Sequence, residues 1–417
     1  MTTLLVHDTT TPWHPTDPAL DVTVGTGTLL DREVAVNRLR YDGGPAAAAE
    51  FAPAAPLDLT DWEELRLWIR ADPPAHGTPQ LPFYLALSYT DAQDSQGSEH
   101  RWFIPVNDAD TWEHCPIGIG DDRRGAITRF RLETIGGTPF TAEVYQLRAV
   151  REEMLGDIER ALVDALSGLR PPGLDRVPLL VSAAPGDQTV EPAYASGFAP
   201  GNRILLQGGQ GPDEEHDVVQ VTNGSLPGRT RLAFAADSPV RGGFPAGGSS
   251  VSVTVPVELA ASDSATGRAV PRVEVSGTEV REDADRSGYA RQRDSFRPSG
   301  PLTVCAVRPP ARAYTADYRI TVAGTDPGQR TAIHNGVLSR LSNDRPLWID
   351  DMPAPVWMLP VPWWQECQET GPGPVRIRVG SRMQTGPREV LPLVRRSEVR
   401  AGRPDTPEDD EGMAPRP

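Results

Sequence analysis

Seven histidines, three cysteines and an acidic balance are the raw material for chemistry in this chain. His7, His14, His76, His100, His114, His216 and His334 contain no His-Glu-x-x-His and no close pair at metal-ligand spacing. His114 and Cys115 are neighbours, and neighbours on a strand point to opposite faces, so they do not converge on one ion. His216 stands in Asp213-Glu214-Glu215-His216-Asp217, which reads as a solvated hairpin edge rather than a cation site. Asp91, Asp94 and Glu99 share an acidic loop but lack the ligand spacing and glycine of an EF-hand, so a solvated turn is expected there. Cys115, Cys305 and Cys367 are odd in number and far apart, as reduced buried thiols are; they form neither a disulfide framework nor a zinc knuckle. There is no Gly-x-Ser-x-Gly elbow, phosphate loop or dinucleotide fingerprint, and Val24-Gly25-Thr26-Gly27-Thr28-Leu29 has two glycines and stops there. Carboxylate pairs for glycoside hydrolysis cannot be assigned from spacing. The chain therefore reads as a non-enzyme that needs no cofactor and no metal.

Aromatic residues carry more information. Trp348, Trp357, Trp363 and Trp364 fall within 17 residues, interleaved with Pro353, Pro355, Pro360 and Pro362. The prolines impose extended chain there. These tryptophans either cover a core or form an interface segment, since Trp and Arg concentrate at binding hot spots. We assign Trp348, Trp357, Trp363 and Trp364, with Tyr318 and Arg319, as interface residues. Trp13, Trp62, Trp68, Trp102 and Trp112 face the same choice, and a sugar-stacking platform would need their rings exposed.

The elements that position these residues are mostly short strands. With 43 prolines and 39 glycines in 417 residues, long helices are disfavoured. No apolar run approaches the ~20 residues of a membrane span, and the N-terminus lacks the pattern of a signal peptide, so cytoplasmic assembly is expected. The net charge is −16, and all 41 basic residues are arginine. An acidic chain of this kind is not expected to bind nucleic acid. Residues 1–150 read as one β-sandwich of alternating strands around Leu65–Ile69, Phe83–Tyr89, Trp102–Val106, Thr111–Ile117, Ile127–Leu132 and Phe140–Leu147. Residues 154–169 form the clearest helix, with Leu155, Ile158, Leu162, Val163, Leu166 and Leu169 on one face. Residues 182–260 hold four alternating runs around Ile204, Val218, Leu232 and Val251, a small β-unit punctuated by Gly201, Gly224 and Gly247. Residues 151–181 and 261–380 together read as an α+β domain with a second helix at Gln329–Leu341; 261–300 is polar and loop-like, and 381–417 is expected to be extended or disordered.

Two family resemblances follow from these patterns. The Leu57-x-Leu59-x-x-Trp62 to Ile69 stretch, the strand start at Trp112 and the late Phe130-x-Leu132 resemble the galactose-binding-like jelly rolls that include many carbohydrate-binding modules. That resemblance implies a jelly-roll sandwich and a glycan partner, with no shared sugar-binding residue to carry over. The 154–169 helix, the Tyr318-Arg-Ile-Thr-Val322 strand and the Arg330–Leu341 helix resemble tail-terminator or cap proteins of phage-tail-like contractile injection systems. It implies a subunit that closes a homo-oligomeric ring on tube, sheath or baseplate partners of the same particle. The expected fold class is multidomain, mainly β with α+β: a jelly-roll sandwich, then a terminator-like domain carrying an inserted small β-barrel-like unit. The expected function is a cap subunit; the alternative is a carbohydrate-binding or adaptor module.

Overall fold

A computed structural model describes residues 3–392 except 73–82, 94–99, 107–108, 120–121, 152, 172, 195–196, 225–228, 261–269, 287–291, 300–301, 325–326, 343–344, 350–351, 361–372 and 384–388. Trp363, Trp364, Cys367, Asp94, Glu99, His76 and the 393–417 tail lie outside the described residues.

Alternation of apolar and polar residues builds the first unit. In Glu64–Ala71, Leu65, Leu67 and Ile69 point inward while Arg66, Trp68 and Arg70 point out. This strand lies in a sheet ordered Leu20–Leu29, Arg32–Tyr41, Phe140–Val150, Glu64–Ala71, Glu113–Gly118, with Thr3–His7 also paired to Phe140–Val150. The opposing sheet runs His14–Pro15, Ala48–Phe51, Ile127–Thr134, Phe83–Asp91, His100–Pro105, and continues into Gln292–Ser299, Leu302–Arg308 and Glu389–Pro392. Trp13, Tyr41, Tyr89, Trp102 and Phe130 fill the space between the two sheets. Cys115 is buried in this core, and burial pushes its thiol well above the usual range.

The second unit closes on itself. Its strand order is Val177–Pro178, Ser250–Thr254, Arg203–Gln207, Glu214–Asn223, Thr230–Phe234, Thr189–Val190. The two ends meet through Leu180 N–H donating to Glu191 O (2.9 Å) and Ala193 N–H to Pro178 O (2.7 Å), which makes a small barrel without a long free edge. Gly201 takes φ +87°, a conformation that a side chain would strain, at the turn into Arg203–Gln207.

The third unit is α+β. Its five-stranded sheet runs Val257–Leu259, Arg272–Glu282, Arg312–Ala323, Val375–Met383, Val356–Met358. Helices α1 (Met154–Leu166) and α2 (Pro327–Arg340) pack on one face of it, burying Ile158, Leu162, Leu166, Ile333 and Val337 against Val273, Ile320 and Ile377. Proline opens α2 where no N–H partner is needed. Leu155 departs from the expected apolar face and is 42% exposed, because it sits in the first turn beyond the sheet-facing stripe.

Three segments lie elsewhere than the sequence pattern places them. Residues 261–300 are not all loop: the strand that alternation places at Arg272–Val275 runs on to Glu282, and Gln292–Ser299 is a second strand. The Gln292–Ser299/Leu302–Arg308 hairpin extends the sandwich sheet instead of the α+β sheet, meeting it where Phe296 pairs with Phe103. Within the tail expected to be unstructured, Glu389–Pro392 is a strand on that hairpin, and Val177 and Leu179 belong to the barrel core. Long-range strand pairing of this sort leaves no local signature.

Candidate ligand-binding face

The outward side chains of the first sheet gather on one surface. Glu143 lies at its centre, 6% exposed, and accepts from Arg38 (Nη2, 2.7 Å) and from Arg70 (Nε, 3.0 Å; Nη2, 2.5 Å). Two guanidinium groups on one buried carboxylate satisfy it and leave an excess positive charge at the surface. Beside them, Arg70 lies 5.3 Å from the Trp112 ring centroid, and Trp112 Nε1 donates to Thr28 O (2.8 Å). The Leu20–Leu29/Arg32–Tyr41 hairpin therefore curls over this face and covers Val36, Trp68 and Tyr145 in a small second core. Gly27 permits the approach: a Cβ there would lie 3.2 Å from Val36 and 3.3 Å from Glu143 Oε2.

One step further along the same face a shallow pocket opens, lined by Arg66, Trp68, His114, Gln146, Arg148 and Val150. A β-bulge in Phe140–Val150 falls between Tyr145 and Leu147 and puts Gln146 at φ +36°, turning its side chain to the surface. Arg148 Nε donates to Gln146 Oε1 (2.8 Å), which aims the amide. His114 packs on Trp68 with centroids 5.0 Å apart. Burial, with Arg66 nearby, lowers His114 from 6.5 to about 3, so it is a neutral imidazole at physiological pH. The wall thus draws on an indole, a neutral imidazole, an amide and two guanidinium groups.

Other candidates resolve differently. Asp91 is no cation ligand: it is 1% exposed and its two oxygens accept from Gln93 N–H (2.7 Å) and Ala126 N–H (3.0 Å), pinning two loops. His216 is not solvated but 4% exposed, stacked on Phe234, with Nε2 3.1 Å from Glu214 Oε2 and Nδ1 3.1 Å from Ser238 O. Burial alone would raise the Glu214 carboxyl, but the N–H groups of Arg241 and Gly242, with His216, hold it below its usual value. The group ties the 238–242 loop to the barrel and is structural. Among the described residues no three of His, Cys, Asp and Glu gather to hold a metal ion.

Of the residues assigned to an interface, Trp363 and Trp364 lie outside the described residues, and of the other four only Arg319 and Trp357 share a face. Tyr318 is 2% exposed in the α+β core, so its ring is not available to a partner. Arg319, next along the strand, is exposed on the other face. Trp348 lies under the Arg32 guanidinium at 4.5 Å, spent on a contact within the chain. Trp357 is 36% exposed on the edge strand of the α+β sheet. Of the sandwich tryptophans, Trp13 and Trp102 are each 1% exposed and Trp68 8%, while Trp62 and Trp112 are half-buried, so no flat open aromatic platform stands among them. The pocket itself escaped the sequence reading; the outward Arg66-x-Trp68-x-Arg70 alternation was its one local signal.

No family model matches the chain, and no curated protein matches it. Among solved structures it is similar to a family 11 carbohydrate-binding module of a cellulosomal cellulase of Clostridium thermocellum, at 9% identity, covering 36% of this chain and 95% of that one, with a TM-score of 0.28. It is also similar to a family 30 carbohydrate-binding module of another cellulosomal cellulase of that organism, at 13% identity over 37% of this chain and 99% of that one, TM-score 0.27. A third is the module pair of an endo-1,4-β-D-xylanase from the same organism, at 16% identity over 36% and 29%, TM-score 0.28. The resemblance to tail-terminator proteins finds no support in these comparisons.

Proposed function

We propose that this chain is a non-catalytic binding protein whose N-terminal sandwich takes a hydroxylated, saccharide-type ligand at the Arg66–Trp68–His114–Gln146–Arg148 pocket. The observation that carries this reading is the bulge at Gln146, which turns an amide beside two guanidinium groups, a neutral imidazole and an indole. Amides and guanidinium groups engage adjacent hydroxyls in pairs, and an indole packs on the apolar side of a sugar ring. The carboxylate that touches this wall, Glu64, is held by Arg66 and Arg308, and Glu143 further along the face by Arg38 and Arg70, so neither is free to move a proton. With Trp68 only 8% exposed, binding rests on polar contacts and is weak.

Native gels cast with a panel of neutral and uronate-containing polysaccharides test this. The full chain should be retarded in at least one, and Gln146→Ala and Arg148→Ala should each lose most of that retardation. Free migration of the wild type in every gel would sink the proposal.

A second reading keeps the chain in a phage-tail-like contractile particle, as a cap or adaptor assembled in the cytoplasm. In its favour, the α+β sheet carries helices on one face and an arginine-rich surface on the other. Particles imaged by electron microscopy after deletion of the gene should then lack sheaths or have tubes of uncontrolled length; intact particles of normal length would remove this reading.

A further inference from the structure

The helix-free face of the α+β sheet is a row of arginines in a chain of net charge −16. Register places Ser276, Arg319 and Arg376 on one rung, and Glu279, Asp317, Arg378 and Trp357 on the next. The acids on this face are already neutralised: Asp317 accepts from Arg378 Nε (2.7 Å) and Nη2 (2.9 Å), and Glu279 pairs with Arg281. Arg376 and Arg382 remain with no ion-pair partner among the described residues. At the edge, the Trp357 indole packs against Gly380, where a Cβ would come within 3.0 Å of the ring. Arg286 sits 5.1 Å from the ring centroid, and the indole keeps 36% of its surface exposed. An aromatic plate beside unpaired arginines suits an extended, proline-containing acidic segment, because proline-rich extended chain docks on aromatic surfaces and carboxylates pair with guanidinium groups.

We propose that this face docks the chain's own acidic segment Asp405-Thr-Pro407-Glu-Asp-Asp-Glu411, in which five of seven residues are acidic and none is basic. The connection is long enough. Glu389–Pro392 ends where Pro392 pairs with Val304, and the eleven residues from Val304 to Thr315, in the middle of the face, span at most about 39 Å. The thirteen steps from Pro392 to Asp405 reach about 45 Å when extended. Docking in this way occupies an arginine-rich face of an acidic molecule until a more acidic partner displaces the segment. It is independent of the saccharide pocket on the sandwich.

The test uses two full-length chains and a labelled peptide of residues 401–417. In the first chain Asp405, Glu408, Asp409, Asp410 and Glu411 are replaced by their amides, which frees the face; the second is wild type. Fluorescence anisotropy at low ionic strength should show the peptide binding the amide variant, and binding wild type at least about tenfold more weakly, since a tethered segment competes at about millimolar effective concentration. Added salt should weaken binding. Arg376→Glu with Arg382→Glu in the amide variant should abolish it, with an unchanged circular dichroism spectrum. No binding to the amide variant, or equal binding to both chains, overturns the proposal. A dimer of wild type in light scattering that becomes monomeric in the amide variant would place the segment on a second copy, and also overturns it.

Discussion

His7 shows how one buried side chain sets a pH limit. It is 2% exposed, packed 4.6 Å from Phe51 and 4.9 Å from Trp13 by ring centroids. Burial lowers it from 6.5 to about 4. The unfolded chain therefore binds a proton more readily than the folded one, so the His7 contribution is complete above about pH 6.5 and is lost as pH falls towards 4. At 1.36 kcal/mol per unit the span is worth about 3 kcal/mol. His114 acts with the same sign, its window extending to about 3. His7→Phe keeps an aromatic ring and removes the titration. Urea midpoints measured from pH 7 to 4 should fall less steeply in the variant than in wild type, and an unchanged slope would contradict this account.

At the scale of elements, the curled hairpin decides which part of the first sheet stays open. Its approach depends on Gly27, whose missing Cβ makes room for Val36, Glu143 and Trp112. Gly27→Val overpacks that contact and should cost about 1–3 kcal/mol. Gly25→Val is the matched control: the nearest atom to a Cβ there is on Arg38, at 3.7 Å, an ordinary contact, and the change should be near neutral. Chemical denaturation of the two variants decides the matter; equal midpoints would mean the hairpin is not held by this approach. Because the hairpin covers Tyr145 and Trp68, ligand access falls to the pocket beside the Gln146 bulge.

At the scale of the molecule, the sandwich sheet is completed from the far end of the sequence. The Gln292–Ser299/Leu302–Arg308 hairpin joins it through the Phe296–Phe103 pair, a satellite core of Phe296, Cys305 and Val307, and an ion pair of Arg308 with buried Glu64. This junction is narrower than the ladder of Ile127–Thr134 with Phe83–Asp91. Hydrogen exchange should therefore protect amides of 302–308 less than those of 85–90. Arg308→Ala, which leaves Glu64 with Arg66, should widen the gap. Equal protection of the two strands in wild type would show that the hairpin is an integral part of the sandwich fold.

The sequence by itself determined the local elements. Alternation around Leu65–Ile69, Ile204, Leu232 and Val251 specifies strands, and the spacing of Ile158, Leu162 and Leu166 specifies α1, because burying one face of an element requires only a short-range period. The mainly β, multidomain architecture is legible from those periods and from the prolines and glycines between them. Tertiary structure alone decided that Gln292–Ser299, Leu302–Arg308 and Glu389–Pro392 complete the opposing sheet of the sandwich, that His216 is buried against Phe234 and Glu214, and that Tyr318 faces the core while Arg319 faces out. It also decided the pocket, since Trp68, His114 and Gln146 come from three strands, and the bulge that turns Gln146 depends on its neighbours. Pairing between distant strands is set by the fit of whole faces, and that information is spread over the chain rather than written in any one segment.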